Sequence, residues 1–388
     1  MKRARQGATQ PGASKDPGPG GVPKCCKVLQ LYLFCRIILI ILYMDQPLSR
    51  RLPVLYSARQ AAKNPGAYSP SAGKPTIVAT ALADRGFPVS FYAPRPLLFA
   101  ELCRAHSSTY VEGILSGREQ NGFGNRDKAV AASLPYTSGS MLGAALAARP
   151  NMPACSLTSG FHHAMWDTGG GFCTINGLMV TAAALLEMGK AERVAILDLD
   201  AHYGNGTDDI LRHRADLAPS IIHRTMGGSG SRHGHYIAKL QAFLADISDF
   251  EPSVILYQAG ADPHEDDPLG GYISTEEMRE RDRMVFEFAE GEGIPLAWNL
   301  AGGYQKGGVT GIDPVLALHL NTFREACRVY GLPIPAEMAV PASARSRSSW
   351  WDEPVDDVPM LRGPERSKDS YREVGRRYSQ RSLFNEKW

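Results

Sequence analysis

One strand constrains this chain more than any other segment. Residues 194–206 read VAILDLDAHYGNG, and the run opens apolar enough for the middle of a sheet. Yet Asp198, Asp200 and His202 stand at every second position. Side chains two apart on a strand point the same way, roughly 7 Å from one to the next. One face of a buried strand therefore ends in two carboxylates and an imidazole. Unpaired buried charge is prohibitively costly, so a metal ion or tight pairing must accompany them.

Three more polar clusters follow short apolar runs. SGFHHA (159–164) comes after PACSL, AGADPHEDDPLG (259–270) after SVILYQ, and AGGYQKGG (301–308) after PLAWNL. Between the runs lie helical stretches such as GLMVTAAALLEMG and HYIAKLQAFLADIS. Another, STEEMRERDRMVFEFAEG, opens on a capping box of Ser274 and Glu277. Strands alternating with helices predict an α/β domain with a mainly parallel sheet flanked by helices. The nearly continuous apolar strands agree with a sheet covered on both faces. In such sheets ligands bind in the crevice beyond the carboxyl ends of the strands. Four separate loops thus bring His, Asp and Tyr to one edge.

At 388 residues and 44% hydrophobic, the chain can bury a substantial core. A net charge of only +2 gives no electrostatic case for direct nucleic-acid binding. Seven scattered cysteines without C-x-x-C spacing argue against a disulfide framework and for a reducing, cytoplasmic setting. Residues 1–27 are basic and rich in Gly and Pro, and residues 28–44 are apolar except for Gln30 and Arg36. The apolar stretch falls short of the roughly 20 residues of a spanning helix. Its central Arg would cost about 2.5–3.5 kcal/mol on insertion. No A-x-A-like cleavage site follows it, so a signal peptide is disfavoured. Membrane contact is expected only if this stretch belongs to the native protein, and Met44 is read as the alternative start. The expected organisation is an extension over 1–43, a catalytic domain over 44–341 and a charged, disordered tail over 342–388.

Asp200, His202 and Asp262 supply two oxygens and one nitrogen. Three protein ligands with one position left for water is the arrangement of a catalytic zinc site. The same donor set accepts Fe²⁺ or Co²⁺. The plainer alternative is a salt-bridged Asp beside a core histidine. His162 and His163 are adjacent, and Asp198 and Asn205 are available to orient one each by accepting from a ring N–H. A histidine beside Asp198 favours its protonated form, whereas one beside neutral Asn205 stays a base. Tyr304, in a glycine loop, can aim a phenol hydroxyl at a developing oxyanion. His233 and His235 read as a solvated loop, and His264, Asp266 and Asp267 as loop structure.

Together SGFHHA, GGGFCTINGL, DLDAHYGNGT, AGADPHEDDPLG and NLAGGY resemble the zinc-dependent histone deacetylase superfamily. That superfamily includes bacterial class II-like histone deacetylases, acetylpolyamine amidohydrolases and acetoin-utilisation proteins. YSPSAGKP, AHSSTYVEGILSG and NGFGN look like weaker counterparts of its N-terminal part. The resemblance implies the arginase/deacetylase fold, with Asp200, His202 and Asp262 as zinc ligands. It implies His162 and His163 as the tandem histidines, Asp198 and Asn205 as their partners, and Tyr304 as the catalytic tyrosine. Gly171 and Phe172 look like the floor and wall of an acyl-lysine tunnel. The family also binds a monovalent cation, K⁺, with help from a serine. Ile221 stands at the expected serine, which puts that ion in doubt here.

The implied activity is metal-assisted hydrolysis of an acetylated amine, either acetyl-lysine in a protein or a small acetylpolyamine. His163 takes a proton from the attacking water and a histidine returns one to the leaving amine. Three alternatives differ in class. A binuclear manganese ureohydrolase would need a carboxylate where Gly204 stands. A non-catalytic acyl-lysine binding module predicts a broken constellation, whereas every position is chemically competent. A membrane-tethered interaction protein rests on residues 28–44 alone.

Overall fold

A computed structural model describes residues 50–62, 69–227 and 234–337. The apolar stretch 28–44, His233 and the tail from 342 lie outside the described residues. In chain order the elements are β1 (Leu52–Leu55), α1 (Lys74–Asp84), β2 (Val89–Tyr92), α2 (Phe99–Leu102), α3 (Ser108–Ser116), α4 (Lys128–Ala147) and β3 (Ala154–Ser156). They continue with α5 (Gly177–Glu187), β4 (Val194–Asp198), α6 (Asn205–His213), β5 (Ile221–Thr225), α7 (Gly234–Phe250), β6 (Val254–Gly260), α8 (Thr275–Gly291), β7 (Leu296–Ala301) and α9 (Asp313–Val329).

The seven strands form one parallel sheet in the order β2-β1-β3-β7-β6-β4-β5. Helices cover both faces, so strand residues alternate between two cores rather than between core and water. Ala195 and Leu197 of β4 join Tyr257 of β6 in a core packed by α1, α7, α8 and α9. Val194 and Ile196 of β4 join Leu256 of β6 in a second core with residues of α3, α4, α5 and α6. The inner strands β4, β6 and β7 thus read as nearly continuous apolar runs, as burial on both faces requires. Ser274 caps α8 by accepting from Glu277 N, and Glu277 reciprocates, so the expected capping box is present.

Because all strands run the same way, their carboxyl ends share one edge. The central four, β3, β7, β6 and β4, are the ones followed by SGFHHA, AGGYQKGG, AGADPHEDDPLG and DLDAHYGN. Sequence-distant loops converge there through sheet order alone. Among the described residues no helix is long and apolar enough to cross a membrane.

Candidate active site

Asp200 and His202 lie just past the end of β4, and Asp262 just past the end of β6. One ligand atom from each lies within 4.8 Å of the others, the one such group among the described residues. His202 Nδ1 faces both carboxylates, 3.1 Å from Asp200 Oδ1 and 3.0 Å from Asp262 Oδ2. Backbone donors hold the carboxylates in place: His202 N donates to Asp200 Oδ1 and Ala201 N to Asp262 Oδ1, each at 3.0 Å. Asp262 and Asp200 are buried, and burial together with the Asp200 charge pushes the Asp262 carboxyl up to about 6. Two buried carboxylates and one imidazole nitrogen on a common point suit a divalent cation.

Beside this group stand the tandem histidines. His162 Nδ1 donates to Asp198 Oδ2 at 2.7 Å, and His163 Nδ1 donates to Asn205 Oδ1 at 2.6 Å. Burial disfavours charge on both. For His162 the carboxylates of Asp198 and Asp200 outweigh burial and raise it to about 9. For His163 burial and the neighbouring His162 charge lower it to about 4, against the pull of Asn205. The two histidines thus differ in partner, a carboxylate for His162 and a neutral amide oxygen for His163. Asp198 itself is fixed from below, its Oδ1 accepting from Asp200 N at 3.2 Å and Gln258 Nε2 at 3.1 Å.

Tyr304 lies between Phe172 and His202, with ring centroids 5.7 Å and 6.3 Å away. It is therefore packed, and 7% exposed, despite having only glycines before it in sequence. Burial drives its phenol well above the usual value, so the hydroxyl is a donor. Its loop needs the glycines: Gly302 has φ +52, and a Cβ there would sit 2.4 Å from Asp262 Cγ. Gly171, at φ +51, supports His163 just as closely, since a Cβ would meet its Cδ2 at 2.3 Å. Phe172 also takes a positive φ of 64°, and Phe123 lies beside its ring at 5.8 Å. The NGFGN loop is tied to this wall by Phe172 N donating to Gly122 O at 2.9 Å.

The sequence reading missed several supports. Lys74 opens α1, is fully buried, and donates to Gly302 O in the tyrosine loop. Burial pushes its ammonium down to about 8, opposed by Asp262 and Asp200. Asp267, read only as loop structure, accepts from Tyr304 N at 2.7 Å. Gln258 is a polar residue in an otherwise apolar strand, a signal that would have found it. Lys74 gives no such signal, because its partner is 228 residues away. His264 is loop structure as expected, bonding Thr275 at 2.9 Å and Gln305 at 2.9 Å. His235 is exposed at the start of α7. Ile221, the position read against the family serine, pairs with Val194, at the far end of β5 from Asp198. The residue in register with Asp198 is Thr225, a hydroxyl side chain whose Oγ1 accepts from Gly204 N at 3.2 Å.

The family described as histone deacetylase domain matches residues 71–229 and 226–312. The chain belongs to this family. It is 31% identical over 241 residues to an uncharacterised protein of Picosynechococcus sp., covering 58% of this chain and 79% of that one. It is 33% identical over 187 residues to histone deacetylase 2 of Arabidopsis thaliana, covering 43% of this chain. That match spans about half the length of the Arabidopsis protein, 48%. The crystal structure of acetylpolyamine aminohydrolase from Burkholderia pseudomallei superposes with a TM-score of 0.56 at 19% identity, over 72% of this chain and 99% of that chain. The α/β arginase/deacetylase-type fold expected from the sequence is thus the fold observed. The family places the chain among deacetylase-type hydrolases, which are generally metal-dependent.

Proposed function

We propose that this chain is a zinc-dependent deacetylase that hydrolyses acetylated amines, acetyl-lysine or acetylpolyamine, to acetate and a free amine. One observation carries the reading. Two buried carboxylates and a half-buried imidazole stand beside two histidines whose partners differ in charge, with a phenol ring packed against that imidazole.

Asp200, His202 and Asp262 would hold the metal. When bound, it supplies Lewis-acid polarisation of the amide carbonyl and acidifies a water. The chain's own groups do the rest. The Tyr304 hydroxyl donates to the carbonyl oxygen as negative charge gathers there. His163, neutral beside Asn205, accepts the proton of the attacking water through the nitrogen that Asn205 leaves free. His162, charged beside Asp198, stabilises the developing oxyanion, and a histidine proton passes to the departing nitrogen. Gly171 and Phe172 flank the acyl chain, with Phe172 excluding water from it.

The zinc assignment, the cytoplasmic setting and a catalytic unit spanning 44–341 belong to the same proposal. A binuclear site is disfavoured by Gly204, where a Cβ would already sit 2.6 Å from Asp198 Oδ2. The test is acetate release from acetyl-lysine peptides and acetylated polyamines, by the protein as purified, after chelation, and after metal restoration. Release should vanish on chelation and return with Zn²⁺. Tyr304→Phe should lower kcat about 10²–10³-fold. Release that survives chelation, or a Tyr304→Phe variant as fast as the parent, would sink the reading.

A further inference from the structure

One histidine beside the site is not used by this chemistry. His223 of β5 is in register with Ile196 of β4, on the sheet face covered by α6. Its side chain is 2% exposed. Nδ1 lies 2.7 Å from Asp208 Oδ1 on α6, so Nδ1 is the nitrogen that donates there. Nε2 is buried with no hydrogen-bond partner, and it lies 3.9 Å from Asp198 Oδ2, the same oxygen that accepts from His162.

Residue 204 makes this approach possible. A Cβ at Gly204 would sit 2.6 Å from Asp198 Oδ2 and 3.0 Å from His223 Nε2, wedged between the two. With Nδ1 committed to Asp208, a neutral imidazole would turn its Nε2 lone pair toward a carboxylate oxygen. An imidazolium instead turns an N–H to each of two carboxylates, an arrangement that attraction holds together. The other oxygen of Asp208 accepts the hydroxyl of Tyr203, which is 46% exposed. A row of groups therefore runs Tyr203, Asp208, His223, Asp198, His162, from the surface to the reacting histidines.

We propose that His223 is a positioning residue of the active site: gripped by Asp208, it presents an N–H to Asp198 and keeps that carboxylate turned toward His162. Its effect on turnover rests on the deacetylase reading above. Its effect on the His162–Asp198 pair rests on geometry alone.

The test uses the full chain loaded with Zn²⁺ and the variants His223→Leu, His223→Gln and Asp208→Asn. Two readouts are taken: kcat and KM on an acetyl-lysine peptide and a monoacetylated diamine, and the His162 Nδ1 proton resonance in histidine-labelled protein. His223→Leu should lower kcat about 10-fold with little change in KM, in the range known for partners that orient active-site groups. His223→Gln, which still offers an N–H, should recover most of the loss. The resonance should move in His223→Leu and in Asp208→Asn, and far less in His223→Gln. A His223→Leu protein with parental melting temperature, parental kcat and an unmoved resonance overturns the proposal. If that variant does not fold, Asp208→Asn decides, since its carboxylate is partly exposed; an unmoved resonance there overturns it equally. If the parent releases no acetate from either substrate, the deacetylase reading fails by itself, and the resonance still answers for His223.

Discussion

Two adjacent histidines with the same covalent structure are made different by one atom each. His162 donates to a carboxylate and His163 to an amide oxygen. A charged acceptor stabilises the imidazolium, and a neutral acceptor leaves burial free to suppress it. Asn205→Asp should erase the difference in partner. In the proposed role of base, His163 must be unprotonated, so activity should be lost as pH falls through its pKa. A carboxylate at 205 raises that pKa, and the acid limb of kcat/KM should move to higher pH than in the parent. Parallel pH–rate profiles check this, and an unmoved acid limb would remove His163 from the role of base. At this scale the sequence was most informative. Asp198, Asp200 and His202 are legible because a charged residue in an apolar run must have a reason nearby. Lys74 and His223 were illegible as participants, because their partners sit on elements whose neighbours only the folded sheet defines.

At the scale of elements, the segments that carry the site depend on supports outside it. His106, between α2 and α3, is fully buried and joins the loop carrying the tandem histidines to the start of α5. Its Nδ1 donates to Met165 O at 2.8 Å, and its Nε2 accepts from Asn176 N at 2.9 Å. Both nitrogens are satisfied only by the neutral ring. Burial lowers its pKa from 6.5 to about 4, although the carbonyl of Met165 pulls the other way. Between those values the unfolded chain takes up a proton that the folded chain refuses. Stability from this group is complete above about pH 6.5 and should fall as pH drops toward 4, by about 3 kcal/mol across the window. Thermal unfolding from pH 7 to 4.5 should show this slope, and His106→Gln should flatten it. Equal slopes would mean other groups control the acid response. The elements themselves were unevenly legible. β4, β6 and β7 announce themselves by long apolar runs, and α8 by its capping box. β1 has only four residues, and β5 is an edge strand with mixed composition, so neither stands out in the sequence. α4 is long but carries Pro135 in its interior, and its burial on several sides removes a clear apolar stripe.

For the molecule as a whole, the proposed metal is a ligand that binds the folded chain and not the unfolded one. Zn²⁺ at roughly a hundred times its Kd should therefore raise Tm by roughly 3–5 °C. Asp262→Asn should abolish that rise while leaving the metal-free Tm close to the parent's or above it, because it removes a buried, crowded carboxylate. Differential scanning measurements with Zn²⁺, Co²⁺ and Fe²⁺ would rank the ions as well. No shift with any of them would remove this group as a metal site.

Arg281 of α8 is fully buried and donates to Gly260 O at 2.7 Å and Leu199 O at 3.4 Å, with Asp282 as its ion-pair partner at 2.8 Å. Those two carbonyls belong to the residue just before Asp200 and to the second residue before Asp262. A single guanidinium thus ties the ends of β4 and β6 together from behind, by bonds that no ion takes part in. The ligand cradle is consequently set by the scaffold rather than by its occupant. Unlike a zinc finger, whose fold comes and goes with its ion, this protein should tolerate being stripped and refilled repeatedly. A metal bound there would then reflect the supply around it as much as the site's own preference.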